Sequence, residues 1–319
     1  MTVNSPFTPD RFHNLRFSVF NPRFLWLLKD IAIFCHPIER KRSTRLFFRS
    51  LYWPKYSGQW FHQISNSELL QKLVKQDINL AEKLHRNILR MDNPRGKCFQ
   101  ILTEHYSNAE HLLTPKLIKQ ALLNGGLLLC QIEVTPELSY SIKLAYGGRK
   151  SNGKEGELAI LVQESGKNDD LARLSFMLNS KGDIYIGGLQ ASPTPNSREI
   201  IAQASKACSG LSPKRMAMEA LFSLAKQIGS KAILAVPDEQ HISRKKVTKY
   251  FSYNDYWLEF NALRNEYGDY VLPLIPIHKD LTCVPTKRRA KYRRQRELLD
   301  AISRDTLQVL NQSDTSATL

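Results

Sequence analysis

The chain is predicted to adopt an α+β fold with an α/β-like core: an antiparallel meander, then a helix and a parallel strand in one mixed sheet, with a helical region in front. Two changes of periodicity carry this. Apolar residues recur at helical spacing up to residue 125 and at alternate positions from Tyr140 to Ile186. A long helix and a short, almost wholly apolar run follow, as expected of a strand buried on both faces. At 319 residues the chain is long enough for two domains, or for one with extensions.

From Ser65 to about Met91 the spacing predicts a helix, because Leu80, Leu84, Ile88 and Met91 fall on one stripe. Residues 93–96 (Asn-Pro-Arg-Gly) break it. A second helix starts at Thr114-Pro115, where Thr can cap and Pro suits the first position, and stops at Gly125-Gly126. Strands follow at Leu127–Val134, Tyr140–Tyr146, Leu158–Val162, Leu174–Leu178 and Ile184–Ile186, the last continuing to Gln190, with turn chemistry between them. Ser212 and Pro213 open the long helix, which carries Met216, Ala220, Leu221, Leu224 and Ile228 on one face and ends at Gly229. The run 231–236 reads as a short strand buried on both faces. Strand, helix and buried strand in that order imply a right-handed crossover to a parallel neighbour. The resulting division is 1–62 (basic aromatic segment), 63–125 (helical), 126–285 (mixed-sheet core) and 286–319 (basic helix and polar tail).

Net charge is +16 and sits at the two ends. Residues 1–60 hold ten Lys/Arg against Asp10, Asp30 and Glu39. Lys287, Arg288, Arg289, Lys291, Arg293, Arg294 and Arg296 run without an intervening acid. Such asymmetry speaks to a polyanionic partner. Arg45, Phe47, Phe48, Arg49, Tyr52 and Trp53 interleave cations with rings, which suits the headgroup boundary of an anionic membrane. Nucleic acid could use the same mixture through stacking, although RNP, zinc-finger and GXXG sequences are all missing. A third reading is that the rings pack on the body and the cations face water. No apolar run is long enough for a membrane span. The expected compartment is the cytoplasm, with peripheral attachment to the inner membrane as the membrane reading requires. Five scattered cysteines without a CxxC pair argue against a disulfide scaffold and a structural zinc site.

Phosphate-loop, dinucleotide, GxSxG and HExxH motifs are missing, and the eight histidines are dispersed, so no metal site is expected. The helix opening at Ser212 places Lys214 and Arg215 in its first turn, against the helix dipole. An anion held by Ser209, Gly210, Ser212, Lys214 and Arg215 would remove that conflict; two solvated side chains are the other reading. Any chemistry should gather beyond the parallel strand. There His241 is the candidate general acid or base, with Tyr256 and Glu259 nearby in sequence.

This order of elements resembles the acyl-CoA-binding core of the GNAT acetyltransferases. That resemblance implies an acyl-CoA or acyl-carrier thioester as cofactor, its pyrophosphate at the helix start and its pantetheine arm where the two strands diverge. The chain departs from the pattern by lacking the QxxGxG loop and by inserting Ala191–Leu211 before the helix. Residues 155–158, 186–190, 210–215, His241, 255–257 with Glu259, 287–294 and 298–300 also make the chain similar to the VirK/YbjX family. This second resemblance implies a role in envelope integrity, virulence, stress response and resistance to cationic peptides, with no assigned mechanism. Whether the chain is an enzyme, and which proteins it meets, stay open at the level of sequence.

Overall fold

The computed structural model describes residues 40–148, 153–191, 196–243, 251–277 and 280–311. The antiparallel meander comprises β1 (Leu127–Thr135), β2 (Leu138–Tyr146), β3 (Leu158–Glu164), β4 (Asp170–Leu178) and β5 (Ile184–Gln190). β3 and β4 are buried at nearly every position, so both faces of the sheet must be covered. β6 (Ile233–Ala235) then lies parallel to β5, and β7 (Leu263–Arg264) and β8 (Tyr270–Leu272) close the eight-stranded order β1-β2-β3-β4-β5-β6-β8-β7. The predicted mixed sheet with one parallel pair is what forms.

Helices precede and cover the sheet. In front lie α1 (Arg40–Tyr52), α2 (Pro54–Asn66), α3 (Glu68–Gln76), α4 (Asn79–Glu82), α5 (Arg95–Leu112) and α6 (Pro115–Leu123). α7 (Ser197–Ala207) and α8 (Pro213–Gln227) form the crossover from β5 to β6. α9 (Tyr253–Leu258) follows β6, and α10 (Thr286–Asn311) ends the described chain. α5 and α6 pack on β4 and β2; α8 packs on β3 and β4, and α10 on β1 and α8. A buried ion pair, Lys83 with Glu157, joins the N-terminal helices to the sheet. Tyr106 donates its hydroxyl to Glu157 Oε2 at 2.6 Å in the same place.

One expectation needs correction, and four elements lie in stretches that carried no expectation. The single helix expected over 65–91 is broken. Ser67 caps α3 by accepting from the Leu70 amide at 3.1 Å, and Asp77 ends it by accepting from the Asn79 amide at 3.0 Å. Leu80, Leu84 and Ile88 still point inward, but Ile88 and Met91 lie in irregular chain. The Ala191–Leu211 insertion contains α7, and the stretch after Pro94 forms the whole of α5. β7 and β8, at two and three residues, are too short to show a period.

Candidate functional site

The parallel pair is brief. Ile184, Tyr185 and Ile186 register with Ile233, Leu234 and Ala235, and the Val236 amide still reaches Ile186 O at 3.0 Å. Beyond that point β5 runs on through Gly187–Gln190 while the segment after β6 turns away. The opening is filled from within. The Leu189 amide donates to the Tyr253 hydroxyl at 3.0 Å, and Trp257 Nε1 donates to Val236 O at 2.9 Å. Side chains of α9 thus take the hydrogen-bonding places of a missing strand.

Glu155 lies against β5 at Gly187 and Gly188. A Cβ on Gly187 would fall 1.9 Å from its carbonyl oxygen, and one on Gly188 would fall 2.2 Å from Oε2. The two glycines are therefore what lets this carboxyl reach the strand. Gln190 Nε2 donates to Glu155 Oε1 at 2.5 Å. Burial pushes the Glu155 carboxyl up to about 8, against the pull of Arg173 and Gln190, so it is mostly protonated at neutral pH. Leu89 packs beside Gly187 with φ 63°, a conformation a leucine rarely holds, and its amide donates a hydrogen bond to Lys154 O at 2.8 Å.

His241 completes the cluster and is fully buried. Its Nδ1 accepts from the Ser243 amide at 3.1 Å, so Nε2 carries the proton and faces Glu155 Oε1 at 3.5 Å. Burial drops the imidazole to about 4. Both groups are then neutral near pH 7, and the contact is polar rather than ionic. Tyr253 stacks on the imidazole at 4.6 Å between ring centres. With Nε2 already carrying its proton and the carboxyl neutral, neither group can take the other's proton at neutral pH, and the pair is a buried polar contact under the Tyr253 ring.

Of the other sequence-nominated residues, Tyr256 lies on the buried face of α9 and Glu259 just past its end. Tyr256 is buried with its hydroxyl unbonded, and Glu259 is exposed near Lys214. Among the described residues His241 stacks on Tyr253, and no contact joins it to Tyr256 or Glu259. At the start of α8, Ser212 caps the helix by accepting from the Arg215 amide at 3.3 Å. Lys214 Nζ sits 3.1 Å from the centre of the Phe251 ring and Arg215 lies 4.3 Å over Phe260. Burial lowers Lys214 to about 8. Ser209 and Gly210 form a left-handed turn against α10, where Gln295 Nε2 donates to Ser209 O at 2.9 Å and Lys291 abuts Gly210. The chain thus supplies its own neighbours to the predicted phosphate cradle.

The family model described as "Protein of unknown function (DUF535)" matches residues 36–308. The chain belongs to that family. Its similarity to the "Uncharacterized protein YbjX" of Escherichia coli (strain K12) is 31% identity over 281 residues, covering 84% of each chain. An "Uncharacterized protein" of Haemophilus influenzae is 24% identical over 268 residues, 80% of this chain and 88% of that one. A second protein of that organism is 23% identical over 177 residues, 54% of this chain and 57% of its own. No solved structure matches significantly. This DUF535 member also holds two features that sequence reasoning did not single out as sites. Glu155 had one legible signal, the Gly187-Gly188 pair inside a strand pattern. The second is a basic pocket between α1, the start of α5 and Lys154, whose cations are too far apart in sequence to show a motif.

Proposed function

We propose that this DUF535 protein docks on anionic membrane surfaces as a peripheral protein, and that α1 enters the headgroup boundary. One observation supports this above the rest. Phe47, Phe48, Leu51, Tyr52 and Trp53 form an exposed apolar strip, with Phe48 63% and Tyr52 76% accessible. Leu46 and Ser50, on the other side of the helix, are buried against the body. Exposed rings in such a row are costly in water and suit the interface, where cations beside them meet lipid phosphate. Arg45 and Arg49 stand beside the rings.

The C-terminal cations support the same reading. Lys287, Arg288, Arg289, Lys291, Arg293 and Arg294 of α10 are exposed and have no carboxylate partner among the described residues. The N-terminal cations before Arg40 lie outside the described residues. Among the described residues no helix is long and apolar enough to cross a membrane, so attachment in this proposal is superficial. A cytoplasmic position on the inner membrane, and the envelope, virulence, stress and cationic-peptide roles implied by the family resemblance, belong to the same proposal.

Vesicle flotation tests it. The chain is expected to float with vesicles containing anionic lipid and to stay in solution with zwitterionic ones. The double substitution Phe48→Ser with Tyr52→Ser should abolish flotation while leaving the circular dichroism spectrum unchanged. Equal recovery with both kinds of vesicle would defeat the proposal, and displacement of vesicles by DNA at equal charge would favour nucleic acid instead.

A further inference from the structure

A cavity of about 610 Å³ opens beside the aromatic face of α1, and its lining holds five cations against one carboxylate, Glu82. Arg45 and Arg49 project into it one helical turn apart, Arg95 enters from the first residue of α5, and Lys154 comes from the segment before Glu155. Arg86 also lines it but is paired with Glu82 at 3.2 Å. The other four cations have no carboxylate partner among the described residues. Concentrating four like charges in one concavity is unfavourable unless an anion occupies it.

Two buried polar atoms in the lining lack partners: Nη1 of Arg95 and Nδ1 of His85. His85 is itself nine-tenths buried. Burial first, then the charges of Arg49 and Arg95, hold its imidazole down at about 4, so it stays neutral and is a hydrogen-bonding group rather than a fifth free charge. Pro94, at the N-cap position just before α5, gives no side-chain acceptor to the first-turn amides of an 18-residue helix. The cation at that helix start is opposed by the dipole until a negative group arrives.

We propose that this pocket binds the phosphate group of a phosphorylated ligand. Guanidinium forks match phosphate oxygens in pairs, and a phosphomonoester carries close to two charges, which suits three arginines and a lysine better than a single carboxylate does. The cavity is larger than one phosphate and falls in the usual range for a small organic ligand, about 300–1,000 Å³. A soluble phosphate ester and the headgroup of a lipid present the same chemistry here. The proposal stands on the lining, whether or not α1 meets a membrane.

The test is titration calorimetry on the full chain with inorganic pyrophosphate and with glycerol phosphate, at about 0.15 M salt to suppress loose surface binding. Saturable binding is expected. Arg49→Gln and Arg95→Gln should each weaken it about tenfold, the loss of one charge-assisted contact, whereas Arg288→Gln on α10 should not. Loss of binding in Arg288→Gln to the same degree, or the absence of binding to both soluble probes and to vesicles containing phosphatidate, would overturn the proposal. Phosphatidate binding that needs Arg95, with no response to the soluble probes, would support it with a lipid as the source. Phe48→Ser with Tyr52→Ser separates the two ideas: it should remove flotation and leave pyrophosphate binding intact.

Discussion

The hydroxyl of Tyr253 serves both backbone groups of Leu189, accepting from the amide at 3.0 Å and donating to the carbonyl at 3.4 Å. One phenol thereby substitutes for the strand that β6 fails to provide, and it brings its ring onto His241 in doing so. The closure of the divergent pair rests on this contact.

Tyr253→Phe keeps the ring stack and removes only the oxygen. It leaves a buried amide unbonded, so the loss should be about 1–3 kcal/mol. Hydrogen exchange checks the location: the Leu189 amide should exchange faster than in the parent chain while the β3–β4 ladder stays protected. Unchanged protection at Leu189 would mean that the hydroxyl does not hold the strand.

Much of this arrangement was legible before any coordinates. The meander alternates clearly because Tyr140, Ile142 and Leu144 belong to a strand whose periodicity survives between turns. The helix at Ser212-Pro213 announces itself by its cap. Other parts were hidden for physical reasons. α5 buries Cys98, Ile101, Leu102, His105, Tyr106 and Ala109 on one face, but the buried His105 spoils the apolar stripe. That histidine is there to accept from the Leu178 amide at 3.0 Å. The place of Glu155 against His241, and the gathering of Arg45, Arg49 and Arg95 around one cavity, were hidden because these residues meet only through tertiary folding. A carboxyl kept neutral by burial looks like any surface glutamate in a sequence.

The two glycines of β5 should differ in their tolerance of a methyl group. A Cβ at Gly187 meets the Glu155 carbonyl oxygen, which belongs to the backbone, whereas one at Gly188 meets the end of the Glu155 side chain, which can swing away. Gly187→Ala should therefore lower the melting temperature more than Gly188→Ala. The Gly188 variant should instead break the Gln190–Glu155 bond. Melting curves of the two variants decide the order, and the reverse order would contradict this packing.

Glu155 should also shape the pH dependence of stability. Its folded value of about 8 lies above its ordinary value, so folded and unfolded chains are both protonated below about pH 4.5 and both ionised above about 8. Between those limits the folded chain keeps a proton that the unfolded chain has released. Stability therefore falls as pH rises, by at most about 1.4 kcal/mol per pH unit. Glu219, pushed up to about 7 by burial, adds a slope of the same sign. Glu155→Gln should reduce the decline without abolishing it, gaining stability over the parent chain between about pH 5.5 and 8.5. Parallel curves for the two proteins would show that Glu155 is ionised in the folded state.

The Lys83–Glu157 pair makes the sharpest demand on the core. Both side chains are buried between the N-terminal helices and the sheet, and Glu157 also receives the Tyr106 hydroxyl. Removing one partner strands a charge in a medium that cannot solvate it, so Lys83→Met should cost about 3–5 kcal/mol. Removing both charges lifts most of that penalty. Glu157→Gln keeps an acceptor for Tyr106, and in the Lys83→Met background it should restore about half of the lost stability or more. Chemical denaturation of the two single variants and the double variant gives the coupling between them. If the double variant is as unstable as the sum of the singles, the two residues do not act as a pair. The join between helices and sheet would then rest on apolar packing and on neutral contacts such as His105 with the Leu178 amide.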